Sequence, residues 1–231
     1  MNIKLDKRFK AYSVLALSVI GSFASSHSHA AYLYDWDAAP TITDPTGEAA
    51  ISNPHLTVSN GQDISGAWMA ADEQYYYFRM DLVGAPANND FAGLYGIYID
   101  SKAGGAIGSD VEYMPDSLDG IDYILDSHYE PNIGGWFLSD FHEWDESNGY
   151  FDRTDLFSAQ QSENGGTTIE WMVERTLIGN DFTWVAATHD LGSEAATYDM
   201  TQPATVPVPA PIVLFATSII GLCPLFRKKR G

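Results

Sequence analysis

Gln74-Tyr75-Tyr76-Tyr77-Phe78-Arg79-Met80-Asp81-Leu82 is the stretch that decides the fold class. Three tyrosines and a phenylalanine run together between Asp72-Glu73 and Gly84. Aromatic side chains suit a pleated, half-buried surface, and no sustained 3.6-residue apolar period competes with that reading. The same pattern repeats outward from this run. Residues 92–100 carry Leu94, Tyr95, Ile97, Tyr98 and Ile99, and residues 121–126, 135–138, 167–175 and 183–188 are further short runs of β-branched and aromatic residues. Clusters of Gly, Asn, Asp and Pro separate them. Residues 176–179 read as one helical turn between two strands, and residues 38–47, with Pro40 and Pro45, read as an entry loop. Short strands with this punctuation predict an all-β protein, an antiparallel β-sandwich.

The two ends of the chain carry a different message. Lys4, Lys7, Arg8 and Lys10 precede an apolar run over 11–23, and Ser28-His29-Ala30 is a small-x-small cleavage site. That is the layout of a secretory signal peptide over residues 1–30, with signal peptidase cutting after Ala30. At the other end, residues 206–211 place Pro207, Pro209 and Pro211 at alternate positions. Proline lacks an amide hydrogen and fixes φ, so this segment is extended and exposed. An apolar stretch over 212–226 follows, then Arg227-Lys228-Lys229-Arg230. As a helix that stretch is roughly 22 Å long, short of the ~20 residues of a comfortable span. Its four cations stay on the cytoplasmic side.

Between the ends lies one domain, residues 31–205. Of 12 Lys and Arg, four precede Ala31 and four follow Thr205. Of 31 Asp and Glu, only Asp6 lies outside, which leaves the domain with 30 acids against Arg79, Lys102, Arg153 and Arg175. Such a charge repels nucleic acid and anionic membranes and attracts divalent cations. The only cysteine, Cys223, lies in the apolar tail, so the domain holds no disulfide in an oxidising compartment.

Two resemblances follow from these residues. Residues 206–231, with the Pro-x-Pro start, apolar helix and basic finish, resemble a PEP-CTERM sorting signal, the substrate of an exosortase-type transpeptidase in Gram-negative bacteria. Val-Pro-Val-Pro-Ala-Pro stands in place of the commoner Val-Pro-Glu-Pro, so the position of the cut is open. The resemblance implies transient insertion in the inner membrane, removal of the tail near 207–210, and release to the outer cell surface or extracellular matrix. It also implies a setting of exopolysaccharide production. The second resemblance rests on Asp63-Ile64-x-x-Ala67, Asp72-Glu73-x-x-Tyr76-Tyr77-Phe78-Arg79, Tyr95-Gly96-Ile97-Tyr98-Ile99-Asp100, Gly120-Ile121-Asp122-Tyr123 and Thr168-Ile169-Glu170-Trp171 with Leu177-Ile178-Gly179. Over residues 63–190 the chain is similar to the DOMON-like sandwich (jelly-roll) group that includes family-nine carbohydrate-binding modules. It implies a sandwich fold, and it places Asp100 and Asp122 at strand ends.

Candidate sites are of three kinds. Residues 100–122 hold Asp100, Asp110, Glu112, Asp116, Asp119 and Asp122 among glycines; hard oxygen donors on a flexible loop suit calcium, with Asp100, Asp119 and Asp122 as the ligands. The other role for such residues is to bond the backbone of turns. Tyr129, Trp136, Phe137, Phe141, Trp144 and Tyr150 crowd a stretch with Asp140, His142, Glu143, Asp145 and Glu146. There Trp136, Trp144 and Tyr129 offer rings to stack on sugars and Asp140 an acceptor for hydroxyls, with hairpin packing as the alternative. Trp68, Trp171 and Trp184 read as core. His55, His128, His142 and His189 show no metal-ligand spacing, and His142-Glu143-Trp144-Asp145-Glu146 is not His-Glu-x-x-His. There is no Gly-x-Ser-x-Gly elbow and no phosphate loop. No convincing Met/His pair supports haem.

These readings converge on an exported, non-catalytic module that binds or organises extracellular polysaccharide, with calcium as its cation. The alternatives are a secreted polysaccharide hydrolase or lyase, which needs a carboxylate pair flanking the sugar, and a self-assembling structural matrix protein.

Overall fold

A computed structural model describes residues 32–47, 49, 61–86, 92–108, 114, 118–154, 158–161, 166–190 and 197–206. The expected processing residues Ala30, Pro207, Pro209, Arg227, Lys228, Lys229 and Arg230 lie outside these, as do Asp110, Glu112 and Asp116. Among the described residues no helix is long and apolar enough to cross a membrane.

The protein is all-β, built from two antiparallel sheets. One contains β1 (Ile42–Thr43), β2 (Ile64–Ala71), β3 (Tyr75–Leu82), β9 (Thr168–Glu174) and β8 (Ser158–Gln161), in the order β1-β2-β3-β9-β8. The other contains β11 (Thr197–Met200), β10 (Thr183–Asp190), β4 (Gly93–Asp100), β5 (Tyr123–Glu130), β6 (Gly135–Asp145) and β7 (Tyr150–Thr154), in the order β11-β10-β4-β5-β6-β7; β12 (Ala204–Thr205) also pairs with β10. The helical turn is α1 (Arg175–Ile178). The tyrosine-rich run is β3, central in its sheet, and its alternation sorts the chain into faces. Tyr76, Phe78, Met80 and Leu82 enter the core, while Tyr77, Arg79 and Asp81 face outward. The expected entry loop contains β1, which pairs with β2 through Ile42 and Thr43.

A single apolar cluster draws on both sheets. Phe78, Met80, Ile169, Trp171 and Val173 of the first meet Tyr95, Ile97, Ile99, Leu125, Phe141, Trp184 and Ala186 of the second. The two sheets thus bury their period-2 apolar faces against one another, in a sandwich-like arrangement. β4 is buried on both faces. Its outer side, with Tyr98, lies under Ala106, Met114, Leu118 and Ile121 from the segment that joins β4 to β5. That segment comes back over the sheet because Gly105, at φ +89°, lets its backbone approach Gly120, beside the Ala106–Ile121 bridge.

Trp68 departs from expectation. Trp171 and Trp184 are core, but Trp68 is half-buried on the outer face of β2, where the Arg79 guanidinium lies 4.7 Å from its ring. The face is closed by residues 32–36. Glu170, buried, accepts bonds from the Leu33 amide (2.6 Å) and the Trp36 indole, and Tyr34 packs 4.9 Å from Tyr77. Arg79 forks onto Asp81 at 2.8 and 2.7 Å.

Candidate functional site

Two places on the seven-stranded sheet gather chemistry-bearing side chains, and both are built on β6. The first is the β6–β7 hairpin. Asp145 closes its turn by accepting from the Ser147 amide and hydroxyl (2.8 and 2.6 Å) and from the Asn148 side chain (2.6 Å). These bonds, the Ser147 hydroxyl first, hold its carboxyl below the usual range. Gly149 supplies the positive φ (+69°) that the tight return requires. Beside the turn lies an open depression of about 380 Å³ lined by Glu143, Trp144, Asp145, Glu146 and Asp152. Glu143 and Glu146 are also bonded to the loop that follows β4: Lys102 Nζ sits 2.7 Å from Glu143, and the Gly105 amide donates to Glu146 at 2.8 Å. The hairpin and that loop therefore hold one another in place.

Residues expected to meet at a sugar site are divided by the fold. Trp144 lines the depression, but its ring packs edge-on against Phe151, 5.1 Å away, on the outer face. Trp136 packs on the opposite, inner face, 5.3 Å from Tyr95 and 5.2 Å from Tyr129. Tyr129 is 2% exposed and belongs to the core, so it offers no open ring face. The cause is a β-bulge. Tyr129 pairs with Trp136 but His128 pairs with Leu138, so β6 carries one extra residue and its inward and outward parity changes after Trp136. An exposed aromatic at the depression is Tyr150, 50% exposed and paired with Asp145 at the start of β7.

Asp140 lies elsewhere, on the outer face of the same sheet, and anchors the second gathering. Asp126 and Asp140 are cross-strand partners on β5 and β6, both buried. His142 Nε2 is 3.2 Å from Asp126 Oδ2, His128 Nε2 is 3.7 Å from Asp126 Oδ1, and Arg153 Nε of β7 is 2.5 Å from Asp140 Oδ1. Burial pushes the Asp126 carboxyl up, but the two imidazoles outweigh it and hold the group below its ordinary value. Asp140 has no comparable help. Burial and the charge of Asp126 raise it against the pull of Arg153. On β4, Gly96 lies opposite Asp126 and the Tyr98 ring folds over it; burial, and then Asp126, push the Tyr98 phenol well up. Next to Tyr98, edge-on at 5.6 Å, is His189, fully buried and pushed down to about 3 by desolvation.

His142 thus stands with Asp126 and Asp140 in a cluster that the linear spacing of the histidines does not suggest. The signal was present as two Asp-x-His steps, Asp126-Ser127-His128 and Asp140-Phe141-His142. Along a strand, i and i+2 share a face, and antiparallel pairing of β5 with β6 brings the two steps together.

The expected calcium residues sit at the base of the loop after β4. Asp122 is buried and its Oδ2 accepts from the Ser101 and Lys102 amides at 2.7 and 2.6 Å, the turn-holding role. Burial, then Asp122, then Asp119 raise Asp100 above the ordinary carboxylate range. Among the described residues the set with ligand atoms all within 4.8 Å of one another is Asp126, Asp140 and His142, and not Asp100, Asp119 and Asp122.

No protein-family model matches the chain, and neither the curated proteins nor the solved structures show a significant similarity to it.

Proposed function

We propose that the protein is an exported, non-catalytic β-sandwich module that binds extracellular polysaccharide at the β6–β7 hairpin. One observation carries the reading: the depression of about 380 Å³ combines Trp144 and four carboxylates and has the exposed ring of Tyr150 beside it. Sugar rings offer apolar C–H faces to an aromatic, and carboxylates accept from hydroxyls as charge-assisted acceptors. Four carboxylates at one site, in a domain of 30 acids and 4 bases, favour a neutral or amino-sugar-bearing glycan over an anionic one. Export rests on the signal-peptide layout of residues 1–30, while sorting by an exosortase-type transpeptidase through residues 206–231 and the DOMON-like jelly-roll identity of the sandwich rest on the sequence resemblances; all are parts of the same reading. Calcium at Asp100, Asp119 and Asp122 rests on their hard oxygen donors and would brace the loop that Lys102 and Gly105 attach to the hairpin.

Calorimetric titration of the protein with neutral, amino-sugar and acidic oligosaccharides tests the site. Tyr150→Ala is expected to weaken binding by roughly 10-fold, the loss of about 1–1.5 kcal/mol of ring contact, with an unchanged melting temperature. Equal affinity in wild type and variant contradicts the location, and preference for an acidic glycan contradicts the charge argument.

A further inference from the structure

We propose that Asp126, Asp140 and His142 form a binding site for a divalent transition-metal ion of the zinc type, with His128 as the donor nearest the fourth position. The potential ligand atoms of the first three lie within 4.8 Å of one another. His142 Nε2 is 3.2 Å from Asp126 Oδ2, and His128 Nε2 is 3.7 Å from Asp126 Oδ1. Zinc bonds of about 2.0–2.2 Å at tetrahedral angles put donor atoms about 3.3–3.6 Å apart. The two spacings to the Asp126 oxygens lie just outside that range, one on either side.

The donor types choose the ion. Calcium takes six to eight oxygens and magnesium keeps its waters, whereas imidazole combined with carboxylate suits zinc and its transition-metal neighbours. Burial gives a second, independent reason. Asp126 is 6% exposed, and among the described residues no donor stands within hydrogen-bond distance of its Oδ1, His128 Nε2 lying 3.7 Å away. A buried carboxylate oxygen without a bond is costly unless a cation is there to meet it. Asp140, 3% exposed, is met by Arg153, whose own side chain is 52% exposed. That arginine can swing into solvent as an ion enters from its side. The platform is rigid: Asp126 and His128 on β5 and Asp140 and His142 on β6 stand on hydrogen-bonded neighbours. The ion would tie these strands beside the bulge, in a domain whose residues 31–205 contain no cysteine for a disulfide.

The test uses the whole chain, stripped with EDTA, dialysed, and titrated with zinc chloride in millimolar calcium chloride to occupy surface carboxylates. One saturable zinc per chain, a melting temperature raised by several degrees, and the visible bands of a tetrahedral centre on cobalt substitution are expected. His142→Gln is expected to weaken zinc by at least about 10–100-fold, since loss of an outer-shell partner alone costs that much. Arg153→Ala is expected to bind zinc as tightly as wild type or more tightly. No saturable zinc above the calcium background overturns the site. So does a folded His142→Gln or Asp126→Asn variant that binds as wild type does. If His142→Gln does not fold, the cobalt spectrum of the wild type decides, and an octahedral, all-oxygen spectrum overturns the proposal.

Discussion

His189, buried in its neutral form, is expected to make the domain lose stability as pH falls below about 6.5. The side chain is 1% exposed, its Nε2 has no hydrogen-bond partner among the described residues, and desolvation pushes its pKa down to about 3. In the unfolded chain the same imidazole titrates near 6.5. Between these values the unfolded state holds one more proton than the folded state, so stability is lost as pH falls through 6.5 toward about 3. The sign is that of a base buried in its neutral form. The expected loss relative to neutral pH is about 2 kcal/mol at pH 5 and about 3 kcal/mol at pH 4. For a domain of this size 1 kcal/mol shifts the melting temperature by about 2–4 °C, so pH 5 should cost about 4–8 °C from this residue alone. The assay is urea denaturation of wild type and His189→Leu at pH 7.5, 6, 5 and 4, in chelator. Asp100, Asp140 and Glu170, all raised by burial, also titrate toward this range, but they are common to both proteins and cancel in the difference. That difference should shift in favour of the variant by about 2 kcal/mol between pH 7.5 and 5. A difference that stays constant across this range refutes the reasoning.

Three further outcomes follow from particular contacts. Gly105→Ala is expected to cost at least about 2 kcal/mol by denaturant melting, because its φ is +89° and a Cβ there would meet the Gly120 carbonyl carbon at 2.4 Å; a neutral result means the loop does not cross so closely. Glu170→Ala should lose about 2–4 kcal/mol, since two donors from residues 33 and 36 lose a charged acceptor, and should expose Trp36 to fluorescence quenchers. Unchanged quenching would show that these residues are held by other contacts. Tyr129→Ala should cost about 3–5 kcal/mol as a core truncation, in contrast to Tyr150→Ala, which leaves stability intact; equal melting temperatures for the two contradict the assignment of faces.

The sequence made the centres of both sheets legible and left the edges and the sites obscure. β3, β4, β9 and β10 were readable because their inner faces carry Tyr, Phe, Ile and Trp at alternate positions and Gly or Asp ends each run. The second half of β6, Ser139 to Asp145, was not, since its apolar residues Phe141 and Trp144 lie on opposite faces and show no period of two. Faces were lost for the same reason. Trp136 and Trp144 are eight residues apart, an even separation that puts them on one face of a regular strand, and the bulge at Phe137 reverses this. The two Asp-x-His steps carry no information about one another until the register of β5 with β6 is known. Trp68 looked like core because β2 reads largely apolar, yet it stands on the outer face, where its indole donates to the Ala38 carbonyl and Arg79 lies over its ring, contacts between segments apart in sequence.

The measurement that tests the central claim most directly is retention of the protein on the extracellular polysaccharide of the cells that produce it, followed by counting reducing ends in the glycan. Glycan-binding predicts saturable retention, weakened by Tyr150→Ala, with no new reducing ends. Chelator would reduce it if calcium braces the loop. New reducing ends would instead make the protein a hydrolase or lyase, and absence of retention with self-association would make it a structural matrix protein; either result contradicts the account.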